Sequence, residues 1–148
     1  MEYVPNKDII AKRIARIFKN GDVVNLGIGL PTLVANHVPK DVTIILQSEN
    51  GMMGLGPAAA PDEADPNLTN AGGAPVTILP GGCFFDSATS FGIIRGGHVD
   101  YTVLGVLEVD QEGNLANYKI PGKMVPGMGG AMDLTTGARI VIAATLHF

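Results

Sequence analysis

Apolar positions recur along this chain with two different periods, and their alternation predicts strands and helices in turn. Ile10, Ile14 and Ile17 fall at helical spacing behind Asn6, a candidate N-cap. Lys12, Arg13, Arg16 and Lys19 take the opposite, solvent-facing side, and Gly21 ends the run. Asp22-Val23-Val24-Asn25-Leu26 then reads as a strand, Gly27-Ile28-Gly29-Leu30-Pro31 as a tight turn, and 32–38 as a short helix. Val42-Thr43-Ile44-Ile45-Leu46 is a continuous β-branched and aliphatic run, the pattern of a strand covered on both faces. Val76-Thr77-Ile78-Leu79 repeats that pattern before the turn Pro80-Gly81-Gly82, and Asp86 or Ser87 can cap a helix through Ile94 that Gly96-Gly97 closes. Residues 101–107 form another buried strand, 109–115 a hairpin turn returning through 116–118, and 139–144 a last strand. The order predicts an α/β domain with a mostly parallel sheet and helices on both faces.

Two stretches break the pattern. From Gly51 to Gly73 the chain is crowded with glycine, proline and acids, which predicts a long loop, usually functional in a compact domain. Between Pro121 and Leu134 the glycines forbid regular structure, but successive backbone N–H groups there can form an anion nest.

Composition narrows the classes. With 148 residues, 46% hydrophobic and 16% charged, the chain is globular and sized for one domain. A net charge of −4 gives no broad electrostatic footprint for nucleic acid or an anionic membrane. No run has the apolar length of a membrane-spanning helix, and the first residues lack the basic and apolar regions of a signal peptide, so a cytoplasmic enzyme is expected. Cys83, the lone cysteine, fits a reducing compartment and, beside Phe84 and Phe85, reads as a buried thiol. His37 and His98 sit at element ends and read as structural. Asp62, Glu63 and Asp65 lack the order of a calcium loop, so no metal is expected.

The candidate for chemistry is Glu49. It follows the 42–46 run and precedes Asn50-Gly51, at the C-terminal end of a strand, where open α/β sheets bind their ligands. A solvated turn acid is the commoner use of such a residue, and one carboxylate defines no site. The turn at Gly27 and Gly29 is not a dinucleotide fingerprint, since Thr32 stands where its third glycine would be.

Taken together, Ser48-Glu49-Asn50-Gly51, Asn25-Leu26-Gly27-Ile28-Gly29-Leu30-Pro31, Phe85-Asp86-Ser87, Arg95-Gly96-Gly97-His98-Val99-Asp100 and Gly127-Met128-Gly129-Gly130-Ala131-Met132-Asp133-Leu134 resemble the β subunit of the family I CoA-transferases, of the acetate/butyrate–acetoacetate type. Several motifs in order, over nearly the whole chain, carry the resemblance. It implies a domain like the sugar-phosphate isomerases and a ping-pong exchange of CoA between a short-chain acyl-CoA (acetoacetyl-, butyryl- or acetyl-CoA) and a free acid. No cofactor is implied, the CoA thioester being a substrate. Glu49 matches the catalytic glutamate, which becomes a glutamyl-CoA thioester. Gly130 matches an oxyanion donor, with Gly129 beside it; Asn50 and Gly51 complete the glutamate's motif, and Gly27 and Gly29 match a loop lining the same pocket. The family's partner is an α subunit, in an α2β2 assembly. After 142 the sequence Ala143-Ala144-Thr145-Leu146-His147-Phe148 diverges from the family and stops, so the expectation is one domain, 1–148, lacking the family's C-terminal portion. The competing expectations are an inactive remnant serving as a binding or assembly module, and a phosphosugar isomerase holding phosphate at Gly27 to Gly29.

Overall fold

Six strands form one twisted sheet in a computed structural model that describes residues 6–125 and 127–146. The strands are β1 (Val23–Leu26), β2 (Ile45–Ser48), β3 (Met52–Ala58), β4 (Val76–Phe84), β5 (Tyr101–Gly105) and, after a small two-stranded ribbon of β6 (Glu108–Val109) and β7 (Leu115–Ala116), β8 (Ile140–Ala144). Their order across the sheet is β4-β3-β2-β1-β5-β8. β2, β1, β5 and β8 are mutually parallel, whereas β3 and β4 run antiparallel on the β2 side. The register Val24↔Leu46 and Leu26↔Val103 brings the C-terminal ends of β1, β2 and β5 to one edge.

Helices cover both faces, as the alternation predicts. On one face, α1 (Lys7–Ala15) and a 3-10 helix (Leu30–His37) bury Ala11, Ile14, Ala15 and Val34 against Val24 and Val103. On the other, α2 (Ser87–Arg95) and α3 (Ala131–Gly137) bury Ile94 and Leu134 with Val99 and Leu104. Each fully buried aliphatic side chain of this kind contributes roughly 1.5–3 kcal/mol. The predicted caps form: the Asn6 side chain accepts the Asp8 N–H at 2.9 Å and the Asp86 carboxylate accepts the Thr89 N–H at 2.7 Å. α2 and α3 lie close because Gly137 has no side chain; a Cβ there would overlap the Ile94 carbonyl. The Arg95 guanidinium locks the pair, donating to Asp133 at 2.6 Å, and this contact raises the Arg95 pKa.

Several boundaries differ from the sequence expectation. α1 stops at Ala15; the chain turns there, so Phe18 takes the core position expected of Ile17, which is exposed. The 32–38 helix starts earlier and is 3-10, entered through Pro31. The 42–46 run is not itself a strand: β2 begins at Ile45 and extends through Ser48, which places Glu49 directly at its end. The largest correction is in 51–73. Its first part is β3, because pairing with β2 on one side and β4 on the other overrides the poor strand propensity of Gly54, Gly56 and Pro57, with register shifts absorbing the misfit. β4 likewise runs straight through Pro80-Gly81-Gly82, where proline is tolerated because β4 is the edge of the sheet. Cys83 is exposed on that edge strand and is not a buried thiol. In the 121–134 segment, α3 begins at Ala131, directly after the last glycine of the run, so its end is helical where no regular structure was expected, and Pro126 lies outside the described residues.

Candidate active site

β1 and β2 carry polar residues where their neighbours are apolar, and these polar residues build the site. Asn25 and Gln47 are register partners, 1% and 2% exposed. Burial of such amides is costly unless they are hydrogen-bonded. They answer with a chain of hydrogen bonds. Ser90, buried on α2, donates to the Ser48 carbonyl at 3.4 Å, and its hydroxyl oxygen accepts the Gln47 amide at 2.9 Å. Gln47 Oε1 in turn accepts from Asn25 Nδ2 at 2.8 Å, and the same Nδ2 donates to Glu49 Oε2 at 3.0 Å. Donation thus diverges from the Asn25 amide, one way through Gln47 and Ser90 to the Ser48 carbonyl and the other way to the Glu49 carboxylate. The Asn25 Oδ1 and Thr102 Oγ1, on register partners in β1 and β5, are buried without a hydrogen-bond partner among the described residues.

Glu49 is half-buried at the C-terminal end of β2. Close to it stands Gly130, the residue before α3: a Cβ built on Gly130 would lie 3.7 Å from Glu49 Cγ and 3.3 Å from the Phe91 ring. Residues remote in sequence therefore meet because α3 packs on α2. Gly129 adjoins them, exposed, with open space about its α-carbon.

A cavity of about 410 Å³ opens beside the carboxylate. Gly27 and Gly29 line it, together with Glu49, Gln47 and Ser48. Asn50 and Gly51 are not in its wall. Asn50 donates its side-chain amide to the Thr69 carbonyl at 2.7 Å, tying the 59–75 connection down. Gly51 sits at φ 116°, where a Cβ would overlap the Phe85 carbonyl oxygen, so the β2–β3 turn depends on its lacking a side chain. The Ser48 hydroxyl accepts the Ala71 N–H at 3.2 Å and fixes the loop across the cavity mouth.

Among the described residues, His37, His98 and the acids Asp62, Glu63 and Asp65 are not in the cavity wall. His37 faces Asp8 at 3.3 Å, and no cluster of three metal-ligating side chains occurs among the described residues. Asn25, Gln47 and Ser90 were missed as site residues from sequence. The signal was there for the first two, as amides inside Val-Val-Asn-Leu and Ile-Leu-Gln-Ser, whereas Ser90 gave none.

Comparison with known proteins settles the family. A sequence model described as Coenzyme A transferase matches residues 7–148. This chain belongs to the coenzyme A transferase family. It is 61% identical over 141 residues to the acetate CoA-transferase subunit beta of Escherichia coli, an overlap covering 95% of this chain and 64% of that relative. It is 49% identical over 143 residues to the mitochondrial succinyl-CoA:3-ketoacid coenzyme A transferase 2A of Rattus norvegicus, covering 97% of this chain and 28% of that one. Among solved structures, an acyl-CoA transferase (YdiF) from Escherichia coli O157:H7 superposes with a TM-score of 0.71 at 25% identity, over 97% of this chain and 25% of that chain. The chain thus spans a little under two thirds of the length of the bacterial β subunit it matches. No helix among the described residues is long and apolar enough to cross a membrane.

Proposed function

We propose that this chain is the β subunit of a short-chain acyl CoA-transferase and supplies the nucleophile, Glu49. The observation that carries this reading is a half-buried carboxylate at a strand end, with the Asn25 amide on one oxygen, Gly130 alongside and a cavity beside it. The substrates are a short-chain acyl-CoA, such as acetoacetyl-, butyryl- or acetyl-CoA, and a free carboxylic acid.

Carboxylates are ionised at neutral pH without a helper base, so the task of the site is orientation. Asn25 engages Oε2, leaving Oε1 to attack the thioester carbonyl. The carbon–sulfur bond breaks, CoA leaves as thiolate, and a mixed anhydride of Glu49 and the acyl group remains. The thiolate then attacks the glutamyl carbonyl and expels the acyl carboxylate, which gives a glutamyl-CoA thioester. An acceptor carboxylate runs the two steps in reverse, and Glu49 is regenerated. Each tetrahedral intermediate bears an oxyanion, and a backbone donor aimed at it is worth roughly 3 kcal/mol. Gly130 is assigned that role. The name "subunit beta" of the Escherichia coli relative supports an α partner; in this reading the assembly is α2β2 and the partner completes the CoA-binding surface.

The test is intact-mass measurement of the chain co-expressed with an α subunit and mixed with acetoacetyl-CoA. The expected result is a CoA adduct that Glu49→Ala abolishes along with CoA exchange. A wild-type chain that gains no adduct, or an alanine variant that exchanges as fast, refutes the assignment and leaves the non-catalytic assembly module standing.

A further inference from the structure

Gln47, Asn25 and Thr102 stand in one row across β2, β1 and β5, because Asn25 is the register partner of both. Register partners of parallel strands share a face of the sheet, here the face that α2 covers with Ser90. Gln47 is 2% exposed, Asn25 1% and Thr102 0%, so no neighbouring subunit reaches these side chains. Gln47 and Asn25 orient each other. The Ser90 hydroxyl donates to the Ser48 carbonyl and accepts from Gln47 Nε2, so Gln47 presents Oε1 to Asn25, and Asn25 presents Nδ2 in return. The protons of that nitrogen go to Gln47 Oε1 at 2.8 Å and to Glu49 Oε2 at 3.0 Å. At the other end of the same amide, Asn25 Oδ1 is buried without a hydrogen-bond partner among the described residues, and so is Thr102 Oγ1, the next polar atom along the row. One of these atoms needs a donor and the other carries a proton to donate. Neighbouring strands lie about 4.8 Å apart, a gap that a threonine hydroxyl and an asparagine amide close directly or through one water.

We propose that Thr102 is a positioning residue for Glu49: its hydroxyl donates to Asn25 Oδ1, directly or through one water, and holds the Asn25 amide from the side opposite the carboxylate. The inference rests on the CoA-transfer reading and adds to it a residue that touches neither the nucleophile nor the substrate. The terminal torsion of an asparagine is broad, so an amide gripped at its nitrogen end alone can rock about the Cβ–Cγ bond. Rocking swings Nδ2 away from Glu49 Oε2, and that hydrogen bond weakens steeply with angle. A second hold on Oδ1 stops the motion. Thr102 thus acts on the carboxylate through Asn25, from a different strand than Ser90 and from the other end of the row.

The test follows the rate of CoA-adduct formation on Glu49 in the chain co-expressed with an α subunit and mixed with acetoacetyl-CoA. Thr102→Val keeps the shape and removes the hydroxyl, and the adduct is expected to form roughly tenfold more slowly, with half-saturation by acetoacetyl-CoA unchanged. Thr102→Ser keeps the hydroxyl and is expected to recover most of the rate. In an Asn25→Ala background, Thr102→Val is expected to add no further slowing, since the group it acts through is gone. A second readout needs no turnover. Solvent exchange of the Asn25 side-chain N–H protons, followed by NMR on the 15N-labelled chain, is expected to quicken roughly tenfold in Thr102→Val and to return towards wild type in Thr102→Ser. A valine variant with the wild-type adduct rate or wild-type exchange, a serine variant as slow as the valine one, or a full tenfold loss from Thr102→Val in the Asn25→Ala background overturns the proposal. Failure of the transfer reading looks different: the wild-type chain gains no adduct, while exchange of the Asn25 protons still answers to the Thr102 hydroxyl.

Discussion

β2 has β1 on one side and β3 on the other, and the two neighbourhoods are built differently. On the parallel side, Val24 and Val103 are fully buried between helical layers, and the polar side chains Asn25 and Gln47 are held by a chain of hydrogen bonds. On the antiparallel side, β3 and β4 accommodate Gly54, Pro57, Pro80 and Gly81, shift register twice, and leave Leu79, Cys83 and Phe84 exposed. Glu49 emerges at the seam. The parallel half supplies rigidity through packing, whereas the antiparallel half supplies a close-fitting turn and one wall of the cavity through the absence of side chains. A site there gains a fixed carboxylate and an open approach at once.

Substitutions on the two sides should separate these contributions. The largest effect is expected at the seam itself: Gly51→Ala forces a side chain onto the Phe85 carbonyl at φ 116°, and chemical denaturation should reveal a loss of about 3 kcal/mol or more. On the parallel side, Ile94→Ala empties a fully buried position and should cost about 3 kcal/mol by the same measurement. Its counterpart on the antiparallel side, Leu79→Ala at 47% exposure, should change stability by less than about 0.5 kcal/mol. Equal losses at Ile94 and Leu79 would erase the contrast.

Ser90→Ala tests whether the buried chain of hydrogen bonds serves the carboxylate or only the core. It strands the Gln47 amide, so a stability loss of about 1–2 kcal/mol is expected, together with adduct formation on Glu49 slowed by roughly tenfold. Lost stability with an unchanged adduct rate would make the chain purely structural. The smallest effect concerns acid. Hydrogen bonding from the Thr89 backbone holds the Asp86 carboxyl below its ordinary value of 3.8. Its contribution to stability is therefore present above about the ordinary carboxylate value and disappears as the pH falls through the lower folded value. Asp86→Asn keeps a cap but removes this dependence, so melting curves between pH 5 and about 2 should be slightly flatter for the variant.

Much of the parallel half was legible because helical and strand periods are written into Ile10, Ile14, Val23, Val24 and the 101–104 run, and because Asn6 and Asp86 are capping residues. The antiparallel half was not. Glycine and proline in 54–57 and 80–82 read as breakers, and only the hydrogen-bond ladders of neighbouring strands make them extended. Ile17 and Phe18 exchanged roles because the chain turns after Ala15, a choice made by tertiary packing. Within the site, the strand-end position of Glu49 was legible from the apolar run before it, but Ser90 was indistinguishable from any helix serine until α2 was laid across β2.

One part of that placement reaches further. A single helix, α2, carries both Ser90, the helix end of the hydrogen bonds behind Glu49, and Phe91, whose ring abuts the position of Gly130. A substitution that displaces this one helix therefore reaches the amide chain behind Glu49 and the neighbour of Gly130 at once.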